Sequence, residues 1–366
     1  MPNKRPPGKG PLARSFVDRA RLSTFGELRG RILAYVGDHQ NARAVAESAE
    51  GVILHGSKGF KAGRALAVVS DLGIDPARYA DDRNRTTDQL FSDPPRVAIR
   101  SQLFSGATFA LSDSRFSTDR SADAMRGALQ RGREFVDAAS DIDSTMAAFS
   151  TLVIRFDELK SRQWISPVSD FAIPLATVFA SRGDPFSDEQ ALEGAIELVR
   201  STENVFVMRC DLSSIGLIAC GATASAVGAS SSVRHLWLPT KRRGDVSGAT
   251  GHVFVPKLAA WVKLRFIEYA MAEPAIDPLM RCDCAVCGPQ GDVRSLIMPG
   301  VSSAHRELHS VAAVTRLGRE VLDADNPLVA WRVVCVRATD AYGHLAELGL
   351  GVFQAPAMLQ NWITLI

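Results

Sequence analysis

With 366 residues, 46% of them hydrophobic and 22% charged, the chain is long enough to bury a large core and too apolar to be a disordered tail. Lysine plus arginine total 42 against 40 acidic residues, and a net charge of +2 argues against a nucleic-acid coating protein while leaving room for a local basic patch. No apolar run reaches the roughly 18 residues that span a bilayer, and the basic Met1 to Gly10 has no apolar stretch behind it, so neither membrane span nor secretory signal is expected and the chain reads as cytosolic.

Residues 1–13 read as a flexible tail. The pattern from Glu27 to Ala49 predicts a helix, followed by apolar strands at Gly51–His55, Ala65–Ser70 and Ala107–Ser112, with an arginine- and aspartate-rich stretch from Asp75 to Asp93 between the last two. Arg120–Ala139 is helical by composition and spacing. Leu152–Phe156 and Phe171–Ala180 predict strands, and Asp188–Arg200 an amphipathic helix with Ser187 as its N-cap. Val205–Arg209 and Ala222–Val227 are nearly continuous apolar runs flanking a short helix, Leu212–Cys220. Such runs suit parallel strands buried on both faces. The repeated strand–helix alternation predicts an α/β protein, a (β/α)8 barrel of the TIM type over residues 14–275. A glycine- and serine-rich basic loop spans Gly228–Gly251, and a helix is expected over Pro256–Ala272. The remainder, 276–366, reads as a zinc-bearing helical addition.

That last assignment rests on Cys282, Cys284 and Cys287. Clustered cysteines in a cytosolic chain point to a metal rather than to disulfides, and Cys210, Cys220 and Cys335 sit apart in apolar surroundings. A Cys-x-x-Cys turn brings two sulfurs to one ion, Gly288 eases the turn that follows, and Cys282 adds a third thiolate. A structural zinc takes four ligands, and His305 and His309 share one face of the next predicted helix. Three thiolates and one imidazole fill the shell, so the site is closed and structural.

Cys-x-Cys-x-x-Cys followed by histidine resembles the zinc site of tRNA-guanine transglycosylases, at a slightly shorter spacing. The stretch His309-Ser310-Val311-Ala312 resembles the start of that family's zinc helix and favours His309 as the fourth ligand. The resemblance implies a (β/α)8 barrel that exchanges guanine for a 7-deazaguanine in tRNA or DNA, using a carboxylate nucleophile and a second carboxylate. Asp113-Ser114-Arg115-Phe116 resembles the family's Asp-Ser-Gly-Gly-aromatic segment without its glycines. Leu238-Pro239-Thr240-Lys241 resembles the segment after the nucleophile, which places His235 where the family has aspartate. Asp211, ending the Val205–Cys210 strand, and Asp245 are alternative carboxylates. Asp113 and Asp211 each also read as helix caps or loop residues.

The basic loop offers Ser231, Ser232, Arg234, Lys241, Arg242 and Arg243 to phosphate oxygens, where many barrels bind phosphate. Its other reading is a solvated surface, and Trp237 is either a stacking or a packing residue. The expectation is therefore a transglycosylase-like enzyme with Zn2+, acting on tRNA or DNA, or a silent barrel that binds nucleic acid or a partner. Leu328–Val336 would serve a homodimer contact or the core.

Overall fold

Runs rich in valine, isoleucine and phenylalanine, apolar on both faces, can be satisfied only by strands covered on both sides. The computed structural model, which describes residues 22–37, 41–66, 71–80, 93–114, 121–181, 183–237 and 251–366, turns eight such runs into parallel strands. They are β1 (Arg31–Val36), β2 (Val52–His55), β3 (Leu72–Asp75), β4 (Ala110–Leu111), β5 (Ala148–Arg155), β6 (Leu175–Ser181), β7 (Val205–Cys210) and β8 (Ala224–Gly228). The spatial order is β3-β2-β1-β8-β7-β6-β5-β4, so neighbours in sequence are neighbours in space and β8 returns to β1. The two ends of that order meet where the Thr108 N–H donates to the Leu72 carbonyl at 2.8 Å, which leaves a nearly closed α/β barrel of the TIM kind.

Helices cover the outside. A short α1 (Phe25–Leu28) precedes β1; α2 (Ala42–Ser48), α3 (Gly56–Gly63), α4 (Pro95–Phe104) and α5 (Ala122–Ser140) follow β1 to β4. After β5 come α6 (Phe156–Ser161) and α7 (Ile165–Phe171), and after β6 and β7 come α8 (Glu189–Ser201) and α9 (Ser213–Ala219). Inside the barrel, Tyr35, Ile53, Phe109, Phe149, Phe206 and Met208 form a filled core, with Phe109 and Phe206 edge-to-face at 5.9 Å.

Beyond β8 lie α10 (Ser231–Arg234), β9 (Leu236–Trp237), the antiparallel hairpin β10 (His252–Val255) and β11 (Ala260–Lys263), α11 (Leu264–Ala270) and α12 (Asp277–Met280). Two-residue strands β12 (Arg281–Cys282) and β13 (Gly291–Asp292) pair next, followed by α13 (Ser303–Leu322), α14 (Pro327–Glu347) and α15 (Ala357–Leu365). The terminal helices extend the barrel's outer core rather than standing apart. Trp331 and Trp362, both fully buried, meet edge-to-face at 5.9 Å over Gly216 of α9. A Cβ there would lie 2.4 Å from Trp331 Nε1, so only glycine permits the approach. Among the described residues no helix is long and apolar enough to cross a membrane.

Several expectations need correction. The helix expected over Glu27–Ala49 is α1, β1 and α2 in succession: Gly30 at φ +75 breaks the chain, and the Ile-Leu-Ala-Tyr-Val run is buried on both faces, as only a barrel strand can be. The strand placed at Ala65–Ser70 belongs at Leu72–Asp75; Arg64–Leu66 is a 3-10 turn, and 67–70 lie outside the described residues. The helix expected over Pro256–Ala272 begins only at Leu264, because Ala259 at φ +46 turns the chain into a hairpin whose strands carry β-branched and aromatic side chains. Asp188, not Ser187, caps α8, its carboxylate accepting from the Ala191 N–H at 3.1 Å. The tail at 1–13 also lies outside the described residues.

Candidate functional site

The cysteine cluster is assembled by three local devices. The β12–β13 pair sets Cys282 opposite Gly291, and a turn carries Cys284 and Cys287 back towards it, closed by Gly288 at φ +73. Helix α13, capped by Ser302, then projects a fully buried His309 into the cluster, whereas His305 is exposed. His309 Nδ1 lies 3.4 Å from Cys284 Sγ and 3.1 Å from Cys287 Sγ. One ligand atom from each of the four residues lies within 4.8 Å of every other. Tetrahedral zinc bonds would set such atoms roughly 3.6–3.8 Å apart, so the two sulfur–nitrogen contacts would open by a few tenths of an ångström around an ion.

The chemistry of the donors fits as well. His309 Nε2 lies 2.9 Å from the Phe254 carbonyl of β10; the proton there donates to that oxygen and leaves the Nδ1 lone pair facing the sulfurs. Three crowded thiols oppose one another's ionisation. Hydrogen bonds from Cys282 and Cys287 drive the Cys284 thiol down, while those same contacts push Cys287 up and hold Cys282 at about 11. Only a cation lets all three ionise together. This buried Cys282/Cys284/Cys287/His309 cluster could hold a metal ion such as zinc. The isolated thiols behave differently: burial raises Cys220 to about 11 and Cys335 to about 12, which leaves them inert.

The second cluster stands at the carboxyl ends of the barrel strands, where barrel enzymes place their chemistry. Asp211 follows β7 directly. Its Oδ1 accepts from the Ser213 N–H at 3.0 Å, in the turn that leads into α9, while its Oδ2 lies 3.6 Å from His235 Nε2. One oxygen of this carboxylate thus holds the turn and the other faces His235. Asp184, in the turn after β6, accepts from the Phe186 N–H at 2.9 Å. Donor atoms of Asp184, Asp211 and His235 lie within 4.8 Å of one another. Burial, and then the Asp211 charge, raise Asp184 well above the usual carboxylate range. Burial lowers His235, against the pull of Asp211, so the imidazole is neutral.

Two arginines frame this cluster. Arg234 is buried with its guanidinium 4.4 Å from the Trp261 ring centroid, and burial lowers it to about 10. Arg209 sits in the bulge of β7 at φ +50, and its Nη2 donates to the carbonyls of Ser232 at 3.2 Å and His235 at 3.3 Å. Its plane lies over Tyr35 and Tyr79, whose hydroxyls both donate to Asp75 Oδ2, at 2.7 and 2.5 Å.

The remaining predicted residues are distributed around this mouth. Asp113 is buried after β4 and ion-pairs with Arg78 at 3.3 Å, in the wall of a cleft of about 630 Å³ shared with His55 and Gln102. It therefore stands on the β4 side, and Asp211 on the β7 side with Asp184. Ser231 and Ser232 are exposed at α10. Arg115, Pro239, Thr240, Lys241, Arg242, Arg243 and Asp245 lie outside the described residues. Sequence reasoning missed Asp184 and Arg209. The signals were a carboxylate in the Gly183-Asp184-Pro185 turn after an apolar strand, and a lone charge inside the Val205–Cys210 run. No family model matches this chain, and no curated protein matches it.

Proposed function

We propose that this barrel acts at the glycosidic bond of guanine or a 7-deazaguanine in tRNA or DNA, in the manner of the transglycosylases its cysteine motif resembles. The observation that carries the reading is the Asp184–Asp211 pair. Two carboxylates near one another at a barrel mouth, one of them, Asp184, with its proton held more tightly by burial and by the Asp211 charge, suit the division of labour that glycosyl transfer with retention requires. Their separation, within 4.8 Å, suits direct attack by one of them better than activation of an intervening water, which needs roughly 6.5–9.5 Å.

In this mechanism an Asp211 oxygen attacks C1′ of the nucleoside. The C1′–N9 bond breaks with its electron pair moving to the base, and the Asp184 carboxyl proton neutralises the leaving base. The incoming base then attacks C1′ from the vacated side, its ring proton passing to the Asp184 carboxylate while Asp211 departs. Neutral His235 packs against Asp211 and sets its orientation. In the cysteine cluster we assign zinc, held by Cys282, Cys284, Cys287 and His309; it supplies no step and braces the hairpin and α13. Ser231, Ser232 and Arg234 of α10, with Lys241, Arg242 and Arg243 further along the sequence, are the residues we assign to the nucleic-acid backbone.

The test is incubation of zinc-loaded protein with labelled guanine or a labelled 7-deazaguanine base and either tRNA or duplex DNA. Incorporation into one polymer, abolished by Asp211→Asn but kept by Asp113→Asn, is the expected result. Absence of incorporation, with salt-dependent binding of the same polymers retained, favours the alternative of a silent nucleic-acid-binding barrel. The pairing of Asp113 with Arg78 is the observation on that side.

A further inference from the structure

The β10–β11 hairpin walls a cavity that the proposed reaction leaves unused. Its volume is about 420 Å³, within the roughly 300–1,000 Å³ of small-ligand pockets, and its lip includes exposed Gln354 and Val352 at 38% exposure. Trp261, Phe266 and Phe353 give it aromatic walls, the last two rings meeting at 6.1 Å. Trp261 also lies under Arg234 at 4.4 Å, beside His235, so one tryptophan links the cavity to the mouth. Polar groups line it too: the Tyr342 hydroxyl, the His252 imidazole, Lys263 and Gln354. Tyr342 is 6% exposed, yet its hydroxyl has no hydrogen-bond partner among the described residues. Lys263 stands opposite His252 in the hairpin register and makes no ion pair with a described residue. A buried hydroxyl without a partner, beside an unpaired ammonium at an open cavity, is an arrangement that a ligand completes.

The lining decides which ligand. No acidic residue lines the cavity and Lys263 is cationic, so an anion is attracted and a cation repelled. An inorganic anion alone would leave the aromatic walls unused. A purely apolar ligand would bury the Tyr342 hydroxyl and His252 with nothing to bond. Burial, and then the charges of Arg234 and Lys263, lower His252, so its ring is neutral; burial raises Tyr342, so its hydroxyl keeps its proton. A neutral imidazole, a hydroxyl and the Gln354 amide can each both donate and accept, which matches the mixed edge of a nucleobase. A flat ring with such an edge and a negative charge at one end is a nucleoside phosphate. We infer that this cavity holds one nucleotide of the tRNA or DNA outside the exchanged position, its base among the aromatic side chains and its phosphate at Lys263.

This inference rests on the nucleic-acid part of the proposed function, and its test reads binding rather than base exchange. The zinc-loaded full chain is titrated by calorimetry with adenosine 5′-monophosphate, adenosine and inorganic phosphate, and by fluorescence anisotropy with labelled tRNA and duplex DNA. Adenine serves because the proposed reaction exchanges guanine, which keeps the probe from the mouth. Wild-type protein is expected to bind the monophosphate about tenfold or more tighter than adenosine or phosphate. Lys263→Gln should cancel the advantage over adenosine, and Tyr342→Phe should weaken monophosphate and adenosine alike by about fivefold, both with unchanged zinc content. Both variants should also weaken binding of the polymer. Phosphate bound as tightly as the monophosphate overturns the inference from the wild type alone, even where a variant fails to fold. Monophosphate binding that neither variant changes overturns it as well. Nucleotide binding lost in the variants, with polymer affinity unchanged, overturns it in favour of a free-nucleotide site. Weakened polymer binding in both variants, without any incorporation of guanine by the wild type, upholds the inference while base exchange falls. Incorporation with an unchanged KM for the polymer in both variants leaves base exchange standing and overturns the inference.

Discussion

Asp184 and Asp211 cannot both carry full charge at contact range without mutual repulsion, and burial compounds the cost for Asp184. The raised carboxyl has a definite consequence for stability. A group whose folded pKa lies above its unfolded value contributes stability at low pH, and that contribution is lost as pH rises from about 4 through the folded value. At neutral pH Asp184 therefore opposes folding. Asp184→Asn keeps the shape and removes the titration, so its melting temperature at pH 7 should exceed that of wild type by a few degrees. The gain should vanish near pH 4, while base exchange falls on the order of 10³-fold because the transferable proton is gone. A melting temperature that is lower at every pH would mean that Asp184 is a structural hydrogen-bonding group and not a strained acid. His235, lowered by burial, sets the opposite limb: activity should fall only once the pH drops below the ordinary imidazole range and the ring charges beside Arg209 and Arg234.

At the scale of elements, the cysteine–histidine cluster and the β10–β11 hairpin are one unit, because the ring that faces the sulfurs also holds the Phe254 carbonyl, and Ser310 Oγ accepts from the Phe254 N–H at 3.2 Å. Phe254 in turn meets Trp261 at 5.0 Å, beneath Arg234. Cys284→Ser should therefore release the metal, measured by elemental analysis, and loosen the hairpin, measured as faster amide exchange across β10 and β11. Unchanged exchange in metal-free protein would show that the hairpin stands on its own packing. That Cys282, Cys284, Cys287 and His309 come together was legible in the sequence because thiolate spacing is local chemistry. The hairpin was not, since Pro256–Ala272 carries apolar residues at intervals that fit a helix, and the histidine that meets the hairpin at the Phe254 carbonyl lies 55 residues away. Gly216 teaches the same lesson for α9: nothing nearby in sequence announces the two tryptophans that require it. Gly216→Ala should cost about 1–3 kcal/mol in denaturant unfolding, and a neutral result would mean the Trp331–Trp362 pair shifts freely.

For the molecule as a whole, the continuous apolar runs of β6, β7 and β8 exposed the α/β barrel, while the cluster of Asp184, Asp211 and His235 at its rim stayed half-hidden, because which strand ends face one another is a property of closure and not of any segment. Closure is also where the barrel is thinnest. Six of the eight strands are paired on both edges, but β3 and β4 meet through little more than Thr108. Its backbone N–H donates to Leu72 O at 2.8 Å, and its Oγ1 accepts from the Leu72 N–H at 3.1 Å and contacts Ser23 Oγ at 2.8 Å. Ser23 Oγ in turn donates to Asp71 at 2.7 Å, so one hydroxyl cluster substitutes for a missing strand ladder. Thr108→Val keeps the volume and removes the acceptor, leaving the buried Leu72 N–H unsatisfied at a cost of about 1–3 kcal/mol. The loss should be local before it is global: amides of β3 and β4 should exchange faster by a larger factor than those of β5 and β6, in hydrogen exchange at low denaturant. Uniform acceleration across all eight strands would instead mean that the barrel opens as one body, with no seam. Because Asp75 and Asp113 stand at the ends of those two strands, a loosened seam should also loosen that side of the mouth while sparing the Asp184–Asp211 pair on the opposite arc.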